Sequence, residues 1–170
     1  MDRTYFVQLF EYTDWANRQV WDCVMKASDE DYFKDQTFSV GSIYTQLFHW
    51  MYVEKWWIGF LATGEAIFPT EDLYETYKDR AKLRQLWDKI HSENMAYLQN
   101  LTPEECQRKV KPPHWNDEDP PITVAQALTQ VANHSTDHRA QTMAVLHTMG
   151  YDGVGQDFLS YLHRDVNQEG

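Results

Sequence analysis

The sequence predicts an all-α protein, a four-helix bundle, and three observations lead to this fold class. Apolar residues recur at spacings of three and four along long stretches, which is the period of a helix with one buried side. Glycine (7 residues) and proline (6 residues) are few and concentrate between those stretches. The length of 170 residues is close to that of one domain. We therefore expect a single domain over residues 1–170, built around four long helices.

The first half of the chain predicts two long helices separated by a polar linker. The first runs from about Thr4 to Lys26, and its buried stripe consists of Phe6, Leu9, Phe10, Thr13, Ala16, Val20, Cys23 and Val24. We predict a linker without helix over residues 28–40. The second helix begins between Ser39 and Ser42 and ends before Gly64. It is apolar on nearly every side, so we expect it to lie buried between its neighbours.

The third helix is predicted to begin at Thr76 and to run to about Asn100 as the charged, outer helix of the bundle. Thr76 and Asp79 fit a capping box at its start. Thr102 and Pro103 then provide a second cap and a proline at the first helical position. We expect one short turn of helix there.

A small hairpin and a short helix complete the predicted elements. Residues 109–113 and 121–122 flank an acidic, turn-rich connection that can close a hairpin. Residues 156–163 predict a last short helix. Because the connection before the fourth long helix is much longer than a simple turn, we expect it to cross one end of the bundle.

The fourth long helix carries a pair of histidines. It runs from the capping box of Thr123 and Gln126 to Gly150, and it contains His134 and His138. Residues four apart lie one above the other on the same side of a helix, and the neighbours on this side are mostly apolar. Two imidazoles that point into a bundle each need a hydrogen-bond partner or a metal.

A third histidine occupies a similar position on the second helix. His49 is followed at plus four and plus seven by Val53 and Trp56, so it also faces inward. Helical bundles build metal sites from side chains on facing helices. Three histidine ligands leave an open position for water or substrate on an ion such as zinc. Neutral imidazole also suits nickel, copper and iron.

Other readings of these residues are weaker. The zincin motif needs Glu directly after its first histidine, where this chain has Ser135, and di-iron bundles need paired Glu-x-x-His motifs, which are absent from the sequence. Glu54 lies about 140° around the helix from His49, so it is a poor ligand candidate. His91, His114, His147 and His163 are expected to be structural or solvated, and Cys23 and Cys106 to be small core or surface residues. Trp50, Trp56 and Trp57 are expected to lie in the core, with the wall of a pocket as the alternative.

Charge and composition exclude several classes of partner. Lys and Arg number 15 against 26 Asp and Glu, so the net charge is −11. A nucleic-acid binder or a protein of anionic membrane surfaces needs basic patches, so we expect neither partner. No apolar run approaches the 18 to 20 residues or so of a membrane span, and the first residues lack the apolar region of a signal peptide. Two cysteines predict no disulfide framework. We expect a cytoplasmic protein.

Three segments of the chain together match a known family pattern. The most specific is the run from Asn133 to Gln141, which contains His-x-x-x-His-Arg-x-Gln. Ala140 stands where the pattern often has Gly. The other two segments are Asp14-Trp15-Ala16-Asn17, and Leu47-Phe48-His49 followed by Glu54 and Trp57. With these three segments, the sequence resembles the DinB / YfiT-like family.

The resemblance implies a four-helix bundle with up-down-down-up connectivity, often as a homodimer. It implies a divalent metal, nickel or zinc with iron and manganese as alternatives, bound by His49, His134 and His138. Arg139 and Gln141 are candidates for supporting the site, and no catalytic residue is assigned.

The resemblance also implies an activity on small molecules. Some relatives resemble metal-dependent transferases or isomerases that use low-molecular-weight thiols such as bacillithiol, mycothiol or glutathione. We hypothesise a thiol S-transferase in which the open metal position takes the thiol cosubstrate. A hydrolase using metal-activated water is one alternative. A metal-binding or stress-response protein without catalysis is the other.

Overall fold

Four long helices account for most of the chain in the structure, a computed structural model that describes residues 2–37 and 39–164. The long helices are α1 (Arg3–Val24), α3 (Ile43–Thr63), α5 (Arg80–Leu98) and α7 (Val124–Thr148). The short elements are α2 (Asp29–Phe33), α4 (Glu71–Thr76), α6 (Pro103–Gln107), β1 (Lys109–Val110), β2 (Ile122–Thr123) and α8 (Phe158–Leu162).

The four long helices pack around one core, which confirms the predicted all-α fold. Helices α1 and α3 each pack against both α5 and α7, and the contact between α3 and α7 is the most extensive. The up-down-down-up connectivity stays a prediction. Because α3 and α7 carry the three predicted ligands, their interface is where those histidines can meet.

Local capping residues set the ends of the helices that form this interface. Ser42 caps α3 by accepting a hydrogen bond from the backbone N–H of Thr45 at 3.2 Å. Gly64 ends the same helix with φ +79°, a left-handed conformation that glycine adopts without strain. Thr123 and Gln126 form the predicted capping box at the start of α7. The predicted boundaries of both helices are therefore confirmed.

Aromatic side chains fill the centre of the bundle. Trp50 on α3 is fully buried, and its ring meets Trp87 of α5 edge to face at a centroid distance of 4.7 Å. Trp21 of α1 meets Trp87 in the same manner at 6.1 Å. Helix α3 is buried on almost every side, as its sequence predicted. The core thus ties α1, α3 and α5 together without the histidines.

The predicted linker over residues 28–40 contains a helix, so that prediction was wrong. Ser28 caps α2 by accepting a hydrogen bond from the N–H of Asp31 at 3.1 Å, and three acidic residues occupy the first turn. Tyr32 is fully buried, with the guanidinium of Arg80 4.2 Å from its ring centre. A contact with a residue 48 positions away stabilises a helix too short to stand alone.

The start of the third long helix was also predicted wrongly. Thr76 is the last residue of α4, a helix that the sequence did not predict, and its hydroxyl donates to the carbonyl of Asp72 at 2.7 Å. The cap of α5 is Asp79, whose carboxylate accepts from the N–H of Lys82 at 2.8 Å. The helix then ends at Leu98, close to the predicted end.

The other small elements confirm their predictions. Thr102 caps α6 by accepting from the N–H of Glu105 at 3.1 Å, and β1 pairs with β2 in an antiparallel hairpin. Helix α8 falls within the predicted range of 156–163. Cys23 and Cys106 are both buried and free. None of the helices in the described part of the chain has the length and apolar character required to cross a membrane.

Candidate metal centre

Three histidines meet where α3 faces α7. One ligand nitrogen from each of His49, His134 and His138 lies within 4.8 Å of the others. The Nε2 atoms of His49 and His134 are 3.3 Å apart, and the ring centres of His134 and His138 are 4.3 Å apart. The structure thus brings together the three residues that the sequence singled out, and they are positioned to bind a metal ion.

A buried glutamine orients one of the three rings. The Nδ1 atom of His138 lies 2.7 Å from the side-chain oxygen of Gln46, which is fully buried. Because an amide oxygen only accepts, Nδ1 of His138 carries the proton and donates it, which leaves Nε2 unprotonated. Metal-binding histidines are commonly held in this way. Sequence reasoning missed Gln46, although it lies three residues before His49 and therefore on the same side of α3.

Burial keeps the three imidazoles neutral. Loss of hydration lowers the pKa of His49 and of His138 below the usual range. It lowers the pKa of His134 to about 4, with a further contribution from the two neighbouring histidines. Neutral imidazole is the form that ligates metals, and three such nitrogens with one fixed tautomer fit a divalent ion of the zinc or nickel type.

Arg139, the residue after His138, supports the helix that carries two of the histidines. Its side chain is fully buried and donates to Gln156 Oε1 at 2.7 Å, Asn17 Oδ1 at 3.0 Å and Thr136 Oγ1 at 2.9 Å. Burial lowers its pKa. These bonds tie α7 to α1 and to the loop before α8, so Arg139 fixes the position of α7 and does not join the histidine cluster.

Gln141 also has a supporting position. Its amide nitrogen donates to Asp137 Oδ2 at 3.1 Å, and its oxygen accepts from the hydroxyl of Ser39. The second bond connects the segment before α3 with α7. Gln141 therefore links the two chain segments that bring the histidines together.

Glu54 stays apart from the cluster, as the helical period predicted. It is 3% exposed, and its Oε1 accepts a hydrogen bond from Asn94 Nδ2 of α5 at 3.1 Å. Loss of hydration raises its pKa to about 7. Glu54 thus points toward α5, whereas the histidines face α7.

A cavity of about 300 Å³ adjoins the cluster through His49. Its other lining residues are Tyr52, Val53, Trp56, Trp57, Phe68, Pro69, Tyr74 and His114. Trp56 and Trp57 therefore belong both to the core and to a cavity wall. A small molecule in this space would lie next to the histidine cluster.

The four remaining histidines separate into three situations. His147 and His163 are exposed. His91 is partly buried on another side of the bundle, with Nδ1 3.8 Å from Asp14 Oδ1. His114 is also exposed, but it lines the cavity from the loop between β1 and β2. No spacing in the sequence could have revealed this placement, because only the fold brings that loop to α3.

Comparisons with known proteins agree with the fold. The model of the DinB family matches residues 1–170. Protein DinB of Bacillus subtilis (strain 168) is 25% identical over 161 residues, which cover 91% of this chain and 92% of that protein. The crystal structure of YjoA, a DinB-like protein of Bacillus subtilis, superposes with a TM-score of 0.61 at 14% identity, covering 87% of this chain and 96% of YjoA. The chain therefore belongs to the DinB family.

Proposed function

We propose that this protein is a metal-dependent transferase that joins a low-molecular-weight thiol to a small electrophile: the sulfur would form a bond to carbon, the bond from that carbon to a leaving group would break, and the thiol proton would go to the leaving group or to solvent. His49, His134 and His138 would hold the divalent ion. The observation that carries the proposal is the convergence of three neutral imidazoles beside a cavity that His49 lines. A structural ion would need neither an open ligand position nor an adjoining cavity.

Each part of the site contributes a separate physical requirement. Gln46 engages Nδ1 of His138, which leaves Nε2 as the nitrogen that would ligate the ion. The buried position of the rings keeps them unprotonated at neutral pH. A divalent ion with three imidazole ligands, when bound, supplies an open position and lowers the pKa of a thiol that occupies it.

The chemistry of the cavity wall favours a thiol over water as the nucleophile. None of the residues that line the cavity carries a carboxylate, so the lining supplies no acidic side chain as a general base. A bound zinc ion would lower the pKa of water to about 7, but attack by that water on an ester or amide also calls for an acid or base that moves protons to the leaving group. A thiol has a pKa of about 8.5 when free and is deprotonated outright when it coordinates a metal, so its attack needs no general base from the lining. Transfer of a thiol is therefore the better match to this lining.

The metal and the setting of the reaction follow from the same observations. A donor set of three imidazole nitrogens suits nickel, zinc or iron better than manganese, which prefers oxygen ligands. We assign the protein to the cytoplasm, where free cysteines such as Cys23 and Cys106 stay reduced. We also propose a homodimer, on the basis of the family resemblance. The molecular mass in solution, measured by light scattering, tests it: a dimer has twice the mass of one chain.

Elemental analysis of protein purified without a His tag tests the metal site. We expect about one divalent ion per chain in the wild type and in His147→Ala, which removes an exposed histidine of the same helix. The double variant His49→Ala/His138→Ala should retain almost none. Near-stoichiometric metal in the double variant would overturn the assignment of the ligands.

A second assay separates the reaction classes. Metal-loaded protein is incubated with a thiol and a model electrophile, and in parallel with ester and amide substrates. Thioether formation that depends on the metal and disappears in the double variant supports the transferase. Hydrolysis of esters or amides without thioether formation would replace it with the hydrolase. Absence of turnover in both panels would favour a binding protein without catalysis.

A further inference from the structure

We propose that the cavity beside His49 binds the electrophilic substrate as a neutral molecule with an aromatic body of one or two rings. This inference rests on the proposed function, because it identifies the class of acceptor that the thiol would meet. We call this space the acceptor cavity, defined by the nine lining residues given above. Its size, its walls and its charge each support the assignment.

The size of the acceptor cavity sets the size of the ligand. Its volume is about 300 Å³. An apolar protein cavity of about 150 Å³ accommodates benzene, so twice that volume accommodates two fused rings. The value lies at the lower end of ordinary ligand pockets, which start at about 300 Å³. A large cofactor or a peptide does not match this volume.

Aromatic rings that contact one another form part of the wall of the acceptor cavity. Trp56 lies nearly parallel to Phe60 at 5.8 Å between ring centres and is inclined by 29° to Phe68, a 54% exposed loop residue, at 5.4 Å. The ring of His114 stands edge-on to Trp56 at 5.2 Å and to Phe68 at 5.6 Å. Such rings are stabilised by one another before any ligand arrives. An aromatic surface favours a flat, apolar ligand because such a ligand can stack on the rings.

Two tyrosines of the acceptor cavity lining pack against a phenylalanine of the core. Tyr52 stacks on Phe48 at 5.7 Å, and Phe48 contacts Tyr74 at 4.2 Å between ring centres. Phe48 is fully buried in the core, so both tyrosines have a fixed support. The part of the lining formed by the two tyrosines is therefore anchored on the core.

The lining contains no formal charge, which selects a neutral ligand. No Lys, Arg, Asp or Glu is among its residues, although these four types make up 24% of the chain. In the metal-free protein, a charged ligand would lose hydration on entry without gaining an ion pair. The chain as a whole carries a net charge of −11, which further disfavours an anion.

His114 supplies a polar contact at the edge of the acceptor cavity. No hydrogen bond involves its ring within residues 2–37 and 39–164, so both ring nitrogens can serve a ligand. The loop that carries it is held in place, because the N–H of Trp115 donates to the carbonyl of Pro112 at 3.1 Å and the ring of Trp115 contacts Trp57 at 6.2 Å. We therefore expect the aromatic acceptor to carry a hydroxyl or carbonyl group that reaches His114.

Calorimetric titration with three naphthalene probes tests the inference on full-length protein treated with a chelator. The probes are naphthalene, neutral 2-naphthol and anionic naphthalene-2-sulfonate. We expect 2-naphthol to bind at least about tenfold more tightly than the sulfonate, because the cavity offers no partner for a charge. Metal and thiol are absent from this titration, so its result does not depend on whether the proposed transferase activity exists.

Variants then locate the probes within the molecule. Val53→Phe fills the acceptor cavity and should weaken 2-naphthol binding about tenfold or more. His114→Phe keeps an aromatic edge but removes the nitrogens, so it should weaken 2-naphthol by about threefold to tenfold and leave naphthalene unchanged. Leu159→Phe, on the exposed side of α8, is the matched control and should bind every probe as the wild type does.

The outcomes separate clearly. Equal binding of 2-naphthol and the sulfonate would overturn the requirement for a neutral ligand. Wild-type affinity in Val53→Phe, with circular dichroism that shows an intact fold, would overturn the location. Loss of 2-naphthol binding in Val53→Phe beside normal binding in Leu159→Phe would support both, even if no thioether forms in the separate activity assay.

Discussion

Replacing Glu54 by Gln should make the stability of the protein less dependent on pH. The side chain lies in the middle of α3, 3% exposed, and only its Oε1 has a hydrogen-bond partner among the described residues, the amide of Asn94. Loss of hydration raises its pKa, the charge of Asp14 adds to the rise, and the bond from Asn94 opposes it. Gln keeps the shape of the side chain and removes its proton equilibrium.

The expected magnitude follows from the pKa. In the folded protein the pKa is raised from the usual 4.5 to about 7. The folded state therefore binds the proton more tightly than the unfolded state between these values, and stability falls as the pH rises through this window. The stabilisation is fully present below about pH 4.5 and lost above about pH 7. A change of this size corresponds to about 3 kcal/mol, at about 1.4 kcal/mol for each pKa unit.

Urea unfolding of chelator-treated protein, carried out from about pH 5 to about pH 8, measures how the free energy of unfolding of the wild type and of Glu54→Gln depends on pH. We expect the free energy of unfolding of the wild type to fall relative to Glu54→Gln by about 2.5 kcal/mol from pH 5 to about pH 8, because a small part of the change already occurs below pH 5. Glu93→Gln, on the exposed side of α5, is the matched control and should follow the wild type. A difference between wild type and Glu54→Gln that stays constant with pH, or that grows in favour of the wild type at high pH, would refute the reasoning.

Three further changes test the supports of the site and of the core. Gln46→Leu removes the acceptor of His138 Nδ1 and should weaken metal binding about 10-fold to 100-fold, measured by competition with a chromogenic chelator; unchanged affinity would contradict the role of Gln46. Arg139→Met removes the three hydrogen bonds of a buried side chain and should reduce the free energy of unfolding by about 3 kcal/mol; a loss below about 1 kcal/mol would contradict this role of Arg139. Trp50→Ala should cost about 3 to 5 kcal/mol in the same assay, and a change within error would show that Trp50 does not support the core.

The long helices could be predicted because their signals are local. The stripe on α1, the caps at Ser42 and Gly64, and the capping box at Thr123 all act within a few residues. The short helices α2 and α4 depend on distant partners. Tyr32 is held under Arg80 of α5, and the backbone oxygen of Tyr74 accepts from the hydroxyl of Tyr44 on α3. Contacts between residues this far apart in the sequence cannot be predicted from the local sequence pattern of either helix.

The residues of the candidate site also separate into those that local sequence patterns predict and those that only the fold brings together. His134 and His138 share a side of one helix, so spacing alone revealed the pair, and the period of α3 added His49. Gln46 was missed because an amide in an apolar helix indicates a ligand support only after its partner is known. His114 was missed because a loop between two short strands brings it to Trp56, and no periodic pattern describes that approach.

The separation of the aromatic core from the histidine cluster has a consequence for metal exchange. The packing of Trp50 against Trp87 and the anchoring of α7 by Arg139 involve none of the three histidines. The contacts that position α3 and α7 therefore lie outside the proposed metal site, unlike those of zinc fingers, in which binding energy and folding energy are the same quantity. Occupancy of the proposed site would then follow the supply of metal while the helical scaffold persists. A bound metal would add stability only by mass action, in proportion to the logarithm of its free concentration over its dissociation constant.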